Sequence, residues 1–372
     1  MCDGKETNGE NTMNRDWAEK NRKIQALLNK KDTYREGIDL LVEFRGELFE
    51  QIAYIVNGFP KEAFCRMPFA DAKGYQSKTL AYSIWHIFRI EDIVAHSLIQ
   101  GDQQIFFAEN YPDRIGTHRI TTGNELQGEQ ITDFSAELDV SVLYEYAKKV
   151  MQSTNELLRS LEASDLRRKF DETDRERLAN TECVSTQEEA VWLIDYWCKK
   201  SVLGLIKMPF SRHWIVHIEA MQRIKNKLCK LARKGVDPIA YCGFSCNHCF
   251  LGQWCGSCRT DYNTCSFATC FPDKICPNAA CCRERNLDGC YECDTLGDCT
   301  KGFYTPDNDG AAAAKAQAMY IRKYGKKAFL KVHNMLHEKY DFAKTQEILG
   351  QNSEQGLKLL ESVYIPQPMK RD

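Results

Sequence analysis

Apolar residues at three- and four-residue steps (Leu41, Phe44, Leu48, Ile52 and Ile55) predict an amphipathic helix over 34–58, ended by Gly58 and Pro60. A second helix is expected over about 78–100. The stretch from there to about 138 is rich in Gly, Asn, Asp and Thr and is long enough to be a crossover or a lid. A third helix is expected over about 139–162, with Leu143, Tyr146, Val150, Leu157 and Leu161 on one side. Ser185 and Glu188 form a capping-box pattern that opens a helix through Trp192, Ile194 and Trp197 toward Ile206. Pro209 interrupts it, and the next helix starts near Ser211 and runs to about Arg233. No segment alternates as a strand should, so residues 31–235 are expected to pack as antiparallel helices around one core, after a polar, flexible N-terminus over 1–30.

The Gly235-Val236-Asp237-Pro238 break marks the expected domain boundary. Beyond it the apolar periodicity vanishes and cysteine dominates, giving a small irregular module over 236–304. An alanine-rich start, Ala311 to Ala314, then leads into a helix with Met319, Tyr320, Tyr324, Phe329, Val332 and Leu336, and a shorter helix follows around Leu357 to Val363. Residues 305–372 are therefore read as a helical tail that packs on the rest. The fold class is mainly α, and no internal repeat is evident.

Of eighteen cysteines, thirteen crowd between Cys242 and Cys299. In a reducing compartment such thiols are more often metal ligands than a disulfide framework. The run Cys242-Gly243-Phe244-Ser245-Cys246-Asn247-His248-Cys249 opens the cluster, followed by Cys255-Gly256-Ser257-Cys258 and Cys290-Tyr291-Glu292-Cys293. A two-residue gap lets both thiolates approach one tetrahedral ion, and glycine permits the tight turn between them. The candidate ligands are Cys242, Cys246, Cys249, Cys255, Cys258, Cys270, Cys276, Cys282, Cys290, Cys293 and Cys299, and His248 is able to replace one of them. Their grouping is not legible, although the adjacent Cys281 and Cys282 should point apart. Zinc is the expected metal and an iron–sulfur cluster the alternative, since thiolates bind both.

His213 and His217 are four residues apart, so both project from one helix face, on a stripe continued by Met221, Ile224, Leu228 and Leu231. His86 lies in line with Tyr82, Ile90 and Ile93 of the second helix. Three inward imidazoles from two helices match a zinc site with one coordination position open, whereas the plain alternative is a set of hydrogen-bonded core histidines. His333 and His337 repeat the four-residue spacing beside Phe329, Val332 and Leu336, but no third partner is identifiable, and they read as core residues. Asp195, Glu91 and Glu219 are carboxylates within reach of the histidine helices, and each reads as a surface or capping group rather than a base.

The stretches Ser83-Ile84-Trp85-His86-Ile87 and Ser211-Arg212-His213-Trp214-Ile215-Val216-His217-Ile218 resemble the metal-binding signatures of the DinB/YfiT-like superfamily over about residues 34–233. That resemblance implies a four-helix bundle with zinc or nickel on His86, His213 and His217, and a thiol-dependent transferase or isomerase activity that uses a low-molecular-weight thiol on a small-molecule substrate. It implies a homodimer as well. Residues 240–304 resemble a cysteine-rich family of unknown function that opens Cys-Gly-x-x-Cys-x-x-Cys, which implies metal binding and no reaction.

Composition narrows the alternatives. A hydrophobic share of 43% and an aromatic share of 11% over 372 residues suit a folded protein of two domains. The formal net charge of -2 gives no pull toward polyanions. Within the cysteine module Asp261, Asp273, Glu284, Asp288, Glu292, Asp294 and Asp298 outnumber Arg259, Lys274, Arg283 and Arg285, so no nucleic-acid partner is expected. Neither a secretory leader nor an apolar membrane span is legible, which makes the cytoplasm the expected location and no membrane the expected partner. A metal-dependent enzyme of thiol-transferase type leads; a non-catalytic metal or redox sensor or scaffold is the alternative, and an iron–sulfur redox protein the third reading.

Overall fold

The helix expected from the Leu41 to Ile55 stripe is α2, Tyr34–Gly58, and it buries that stripe. Before it runs α1, Asn11–Leu28, which sets Trp17, Ile24 and Leu28 into the core where a flexible segment was expected. Three apolar residues spaced by seven and four suffice to dock a helix whose other positions are polar, which is why its weak hydrophobicity misleads. This computed structural model describes residues 11–249, 254–262, 268 and 275–366. It is mainly helical, with no strand among the described residues beyond isolated bridges at Lys169 to Ser201 and Ile239 to Ser245.

The chain divides into two units, Met1–Lys225 and Asn226–Asp372. In the first, α3, Leu80–Asp92, is capped by the Thr79 hydroxyl, which accepts from the Tyr82 amide, and all of its residues are buried. A helix buried all round must pair its own polar groups. Arg89 does so with Asp92, the Tyr146 hydroxyl, Gln104 and the Ile120 carbonyl, while Asp92 also accepts from the Ile105 and Phe106 amides. After Asp92 the chain continues through a π turn, Ile93–Gln100.

The stretch to 138 is not a bare loop. It carries three short helices, α4 at Ile105–Ala108, α5 at Tyr111–Ile115 and α6 at Glu129–Glu137. Next comes α7, Val140–Ser160, capped by Asp139 and packed on α2 and α3. The Ser185 and Glu188 capping box does not form: α9, Glu188–Cys198, has Gln187 at its N-cap with no side-chain cap bond, and the box that does form joins Asp171 and Asp174 at the start of α8, Glu172–Ala179. Then α10, Val202–Lys207, passes through a second π turn, Met208–Arg212, into α11, His213–Ala232. Pro209 therefore widens the helix for one turn instead of ending it.

The second unit has two apolar clusters, a small one of Ala240, Cys258, Ala268, Cys276 and Ala279 and a larger one shared with the helical tail. The larger combines Ile239, Cys282, Cys290, Tyr291, Leu296 and Tyr304 from the cysteine-rich part, which carries α12, Pro277–Glu284, with residues of α13, Ala311–His337, and of two closing helices, α14, Phe342–Leu349, and α15, Ser353–Val363. A module whose own apolar residues are few thus borrows its interior from the helical tail. Gly243 shows how closely: its φ is +92°, and a Cβ there would lie 3.0 Å from the Ala318 Cα, so the Cys-Gly step needs glycine on two counts.

Candidate metal centre

On α11 the His213 and His217 rings lie 4.5 Å apart between centroids, and His86 of α3 comes within 5.1 Å of the first and 4.8 Å of the second. One ligand nitrogen from each lies within 4.8 Å of the others, and no other such trio of metal-binding side chains occurs among the described residues. All three are buried. Coordination at Zn–N distances near ~2.1 Å needs only small ring adjustments from here.

The hydrogen bonds bear on whether these are candidate ligands or ordinary core histidines. His86 Nδ1 lies 2.9 Å from the Thr122 carbonyl oxygen. A carbonyl only accepts, so Nδ1 carries the proton and Nε2 keeps a lone pair, as in metal-bound histidines whose second nitrogen is held by an outer partner. His213 Nδ1 and both ring nitrogens of His217 are buried with no hydrogen-bond partner. Leaving buried polar nitrogens unmade is costly, and a cation shared among them removes the cost. The residues fit a divalent metal.

Burial also keeps the imidazoles neutral. It pushes His86 down to about 4, against the Thr122 contact and together with the positive charge of Lys78. His213 and His217 are driven well below the usual histidine range by burial first, and then by the charge of His86 on His213 and of His213, His86 and Lys78 on His217. Neutral imidazole is the form that binds metal.

Two side chains that sequence reasoning missed stand beside the trio. Tyr75, 49% exposed, meets His217 edge to face at 4.8 Å, and the Lys78 ammonium lies 4.8 Å over the Tyr82 ring, which in turn stacks on His86. Burial lowers the Lys78 pKa. Nothing but position, a few residues ahead of the His86 helix, marks either of them in the sequence.

Behind the site Glu91 departs from expectation. It is a fully buried carboxylate rather than a surface group, gripped by Arg45 at 2.6 and 3.0 Å and by the Trp214 indole at 2.7 Å. Arg45 also donates to Asn155 and to the Phe210 carbonyl in the π turn. The pair therefore braces α2, α3 and the segment that delivers His213. Asp195 is the exposed partner of Arg175. Glu219 is half-buried, and burial raises its carboxyl. The cavity of about 530 Å³ between Leu28, Tyr34, Glu162 and Leu203 shares no lining residue with the histidines.

In the second unit the thiols gather in two places. Cys282 and Cys290 have their sulfurs 3.7 Å apart, and with Cys281, Cys293 and Cys299 they line a cavity of about 20 Å³. Cys281 and Cys282 both border this cavity. A hydrogen bond from Cys282 lowers the Cys290 thiol to about 7, and the same contact, with burial, raises Cys282. Elsewhere Cys258 and Cys276 approach Cys242, whose thiol burial raises, and the Tyr241 amide donates to Cys258 Sγ at 3.5 Å. Cys246 lies 3.9 Å from the Ser257 hydroxyl, and the Ser257 amide donates to Cys255 Sγ at 3.3 Å. Cys249 follows His248 at the end of the first described stretch of this module, and Cys270 lies outside the described residues.

No family model matches the chain, and no curated protein matches it either. No helix among the described residues is long and apolar enough to cross a membrane.

Proposed function

We propose that the first unit is a divalent-metal enzyme of the thiol-transferase type, a four-helix bundle like that of the DinB/YfiT superfamily, with zinc or nickel on His86, His213 and His217. The observation that carries this reading is the set of buried ring nitrogens without partners, aimed at one point. A cation held there lowers the pKa of a coordinated thiol or water and so supplies a nucleophile near neutral pH. The chain's own groups do the rest. Thr122 holds the His86 proton on Nδ1. The Lys78 ammonium, half-buried beside Tyr82, offers a positive charge to an anionic thiol or carboxylate. Exposed Tyr75 covers His217 from the outside.

The test is metal content followed by turnover. Purified protein reloaded with zinc or nickel should consume a low-molecular-weight thiol in the presence of an alkylating electrophile, and His86→Ala, His213→Ala and His217→Ala should each lose both the ion and the activity. Variants that retain the full metal content of the first unit would overturn the reading.

A second reading, a redox or metal sensor, is favoured by the Cys282 and Cys290 contact at 3.7 Å. A thiol near neutral pKa beside a protonated one is the pairing that reacts first with oxidant. Both thiols also suit a zinc ion shared with Cys293 and Cys299 around the same cavity. Mild peroxide should then release metal from the second unit and convert Cys282 and Cys290 to a disulfide detectable by mass spectrometry; an unchanged metal content and two titratable thiols would exclude the sensor.

A further inference from the structure

The second unit contains another cluster of three imidazole rings, whose ligand nitrogens are not drawn together as closely as those of the first trio. His333 and His337 project one turn apart from α13 with ring centroids 4.6 Å apart, and the loop carrying His248 brings its ring within 5.2 Å of His333 and 4.1 Å of His337. The corresponding separations in the first unit are 4.5, 5.1 and 4.8 Å. Each set takes a pair four residues apart on one helix and a third ring from another segment. The partner that the sequence does not reveal for His333 and His337 is thus His248, 85 positions before the first of them.

The polar bookkeeping repeats as well. Both nitrogens of His333 and Nε2 of His337 are buried without a hydrogen-bond partner, and His333 is 2% exposed. His248 Nε2 lies 2.8 Å from the Asn334 amide oxygen. That oxygen accepts, so the proton sits on Nε2 and Nδ1 keeps the lone pair, mirroring His86 on Thr122 with the two nitrogens exchanged. Burial, with the neighbouring His337 and His248, pushes His333 down to about 3, so it is a neutral base at physiological pH. A hydrophobic core had no need to gather three such rings, because each unpaired nitrogen is a desolvated polar atom with nothing in return.

We propose that His248, His333 and His337 form a second three-imidazole site for a first-row divalent metal such as zinc, cobalt or nickel, with Asn334 orienting His248. The His248 ring lies parallel to His337, at 6°, and a turn out of this stack about its Cβ–Cγ bond would direct Nδ1 at an ion. Its place on a loop rather than a helix permits that turn, and its partial exposure gives the metal a way in. Three neutral ligands leave a coordination position for water or a small anion. This site is independent of the reading given to His86, His213 and His217.

Cobalt titration of the full, metal-depleted chain tests it. Imidazole-only cobalt sites show d–d bands alone, whereas the cysteine sites add thiolate-to-metal charge transfer, so the two are counted separately. Carried out in the His86→Ala background, the titration should lose about one equivalent per chain on adding His248→Ala or His337→Ala, with charge transfer unchanged. Asn334→Ala should weaken that equivalent by roughly 10-fold or more, the usual effect of removing an outer partner of a ligating histidine. His248→Ala is the deciding variant, because a partly exposed loop residue is removed without opening the core. If it and Asn334→Ala leave both stoichiometry and affinity unchanged, the site does not exist.

Discussion

Glu91→Ala will destabilise the first unit by roughly 3–5 kcal/mol in urea unfolding, the cost of stranding a buried charge. Arg45 and Glu91 are both 0% exposed and meet in a forked contact at 2.6 and 3.0 Å, with the Arg45 guanidinium 4.4 Å over the Trp214 ring. Removing the carboxylate leaves the guanidinium with only the Asn155 and Phe210 oxygens and takes the partner from the Trp214 indole. Replacing both members by apolar residues of similar size, as in Arg45→Met with Glu91→Leu, should cost clearly less than Glu91→Ala alone, because no lone charge remains. A single variant within about 0.5 kcal/mol of the parent would mean the pair does not brace the fold, since only surface changes are so mild. Because Trp214 follows His213, metal affinity should fall together with stability.

Acid will unfold the metal-free protein early. His86 is held at about 4 in the fold, while an exposed histidine titrates near ~6.5, so between those values the unfolded chain binds more protons than the native one. The stability contributed by keeping the imidazole neutral is complete above pH ~6.5 and is lost as pH falls toward 4, by roughly 3 kcal/mol for His86. His213 and His217 shift in the same direction and share part of the same cause, repulsion from a charged His86, so their contributions do not simply add. Urea midpoints of metal-free protein should drop steeply from pH 7 to pH 5, and His213→Gln, neutral throughout, should flatten the slope. An equal slope in parent and variant would show that the buried rings do not govern acid stability. Added zinc should delay the loss, since protons and metal compete for the same lone pairs.

Much of this was written in the apolar pattern. The stripe from Leu41 to Ile55 delimits α2 to the residue, and the inward placement of His86, His213 and His217 follows from the helical steps that carry them. Other features depend on what surrounds a residue rather than on its neighbours in sequence. Glu91 reads as a surface carboxylate because nothing local announces Arg45, 46 positions away, or Trp214, 123 positions away. Pro209 reads as a helix stop because a π turn that absorbs a missing amide leaves no composition signal. The start of α1 is polar enough to pass for a tail, and only docking of Trp17 and Ile24 orders it. His248 sits in a cysteine run that invites a thiolate site, so its approach to His333 and His337 becomes visible only once the loop is placed against α13.

The convergence of the first trio is tested most directly by anomalous diffraction from crystals of the full chain loaded with zinc, recorded on both sides of the zinc edge. The account predicts a peak at about 2.1 Å from His86 Nε2 and from one ring nitrogen each of His213 and His217. Strong peaks confined to the cysteine-rich part, with the three imidazoles bare, would contradict it.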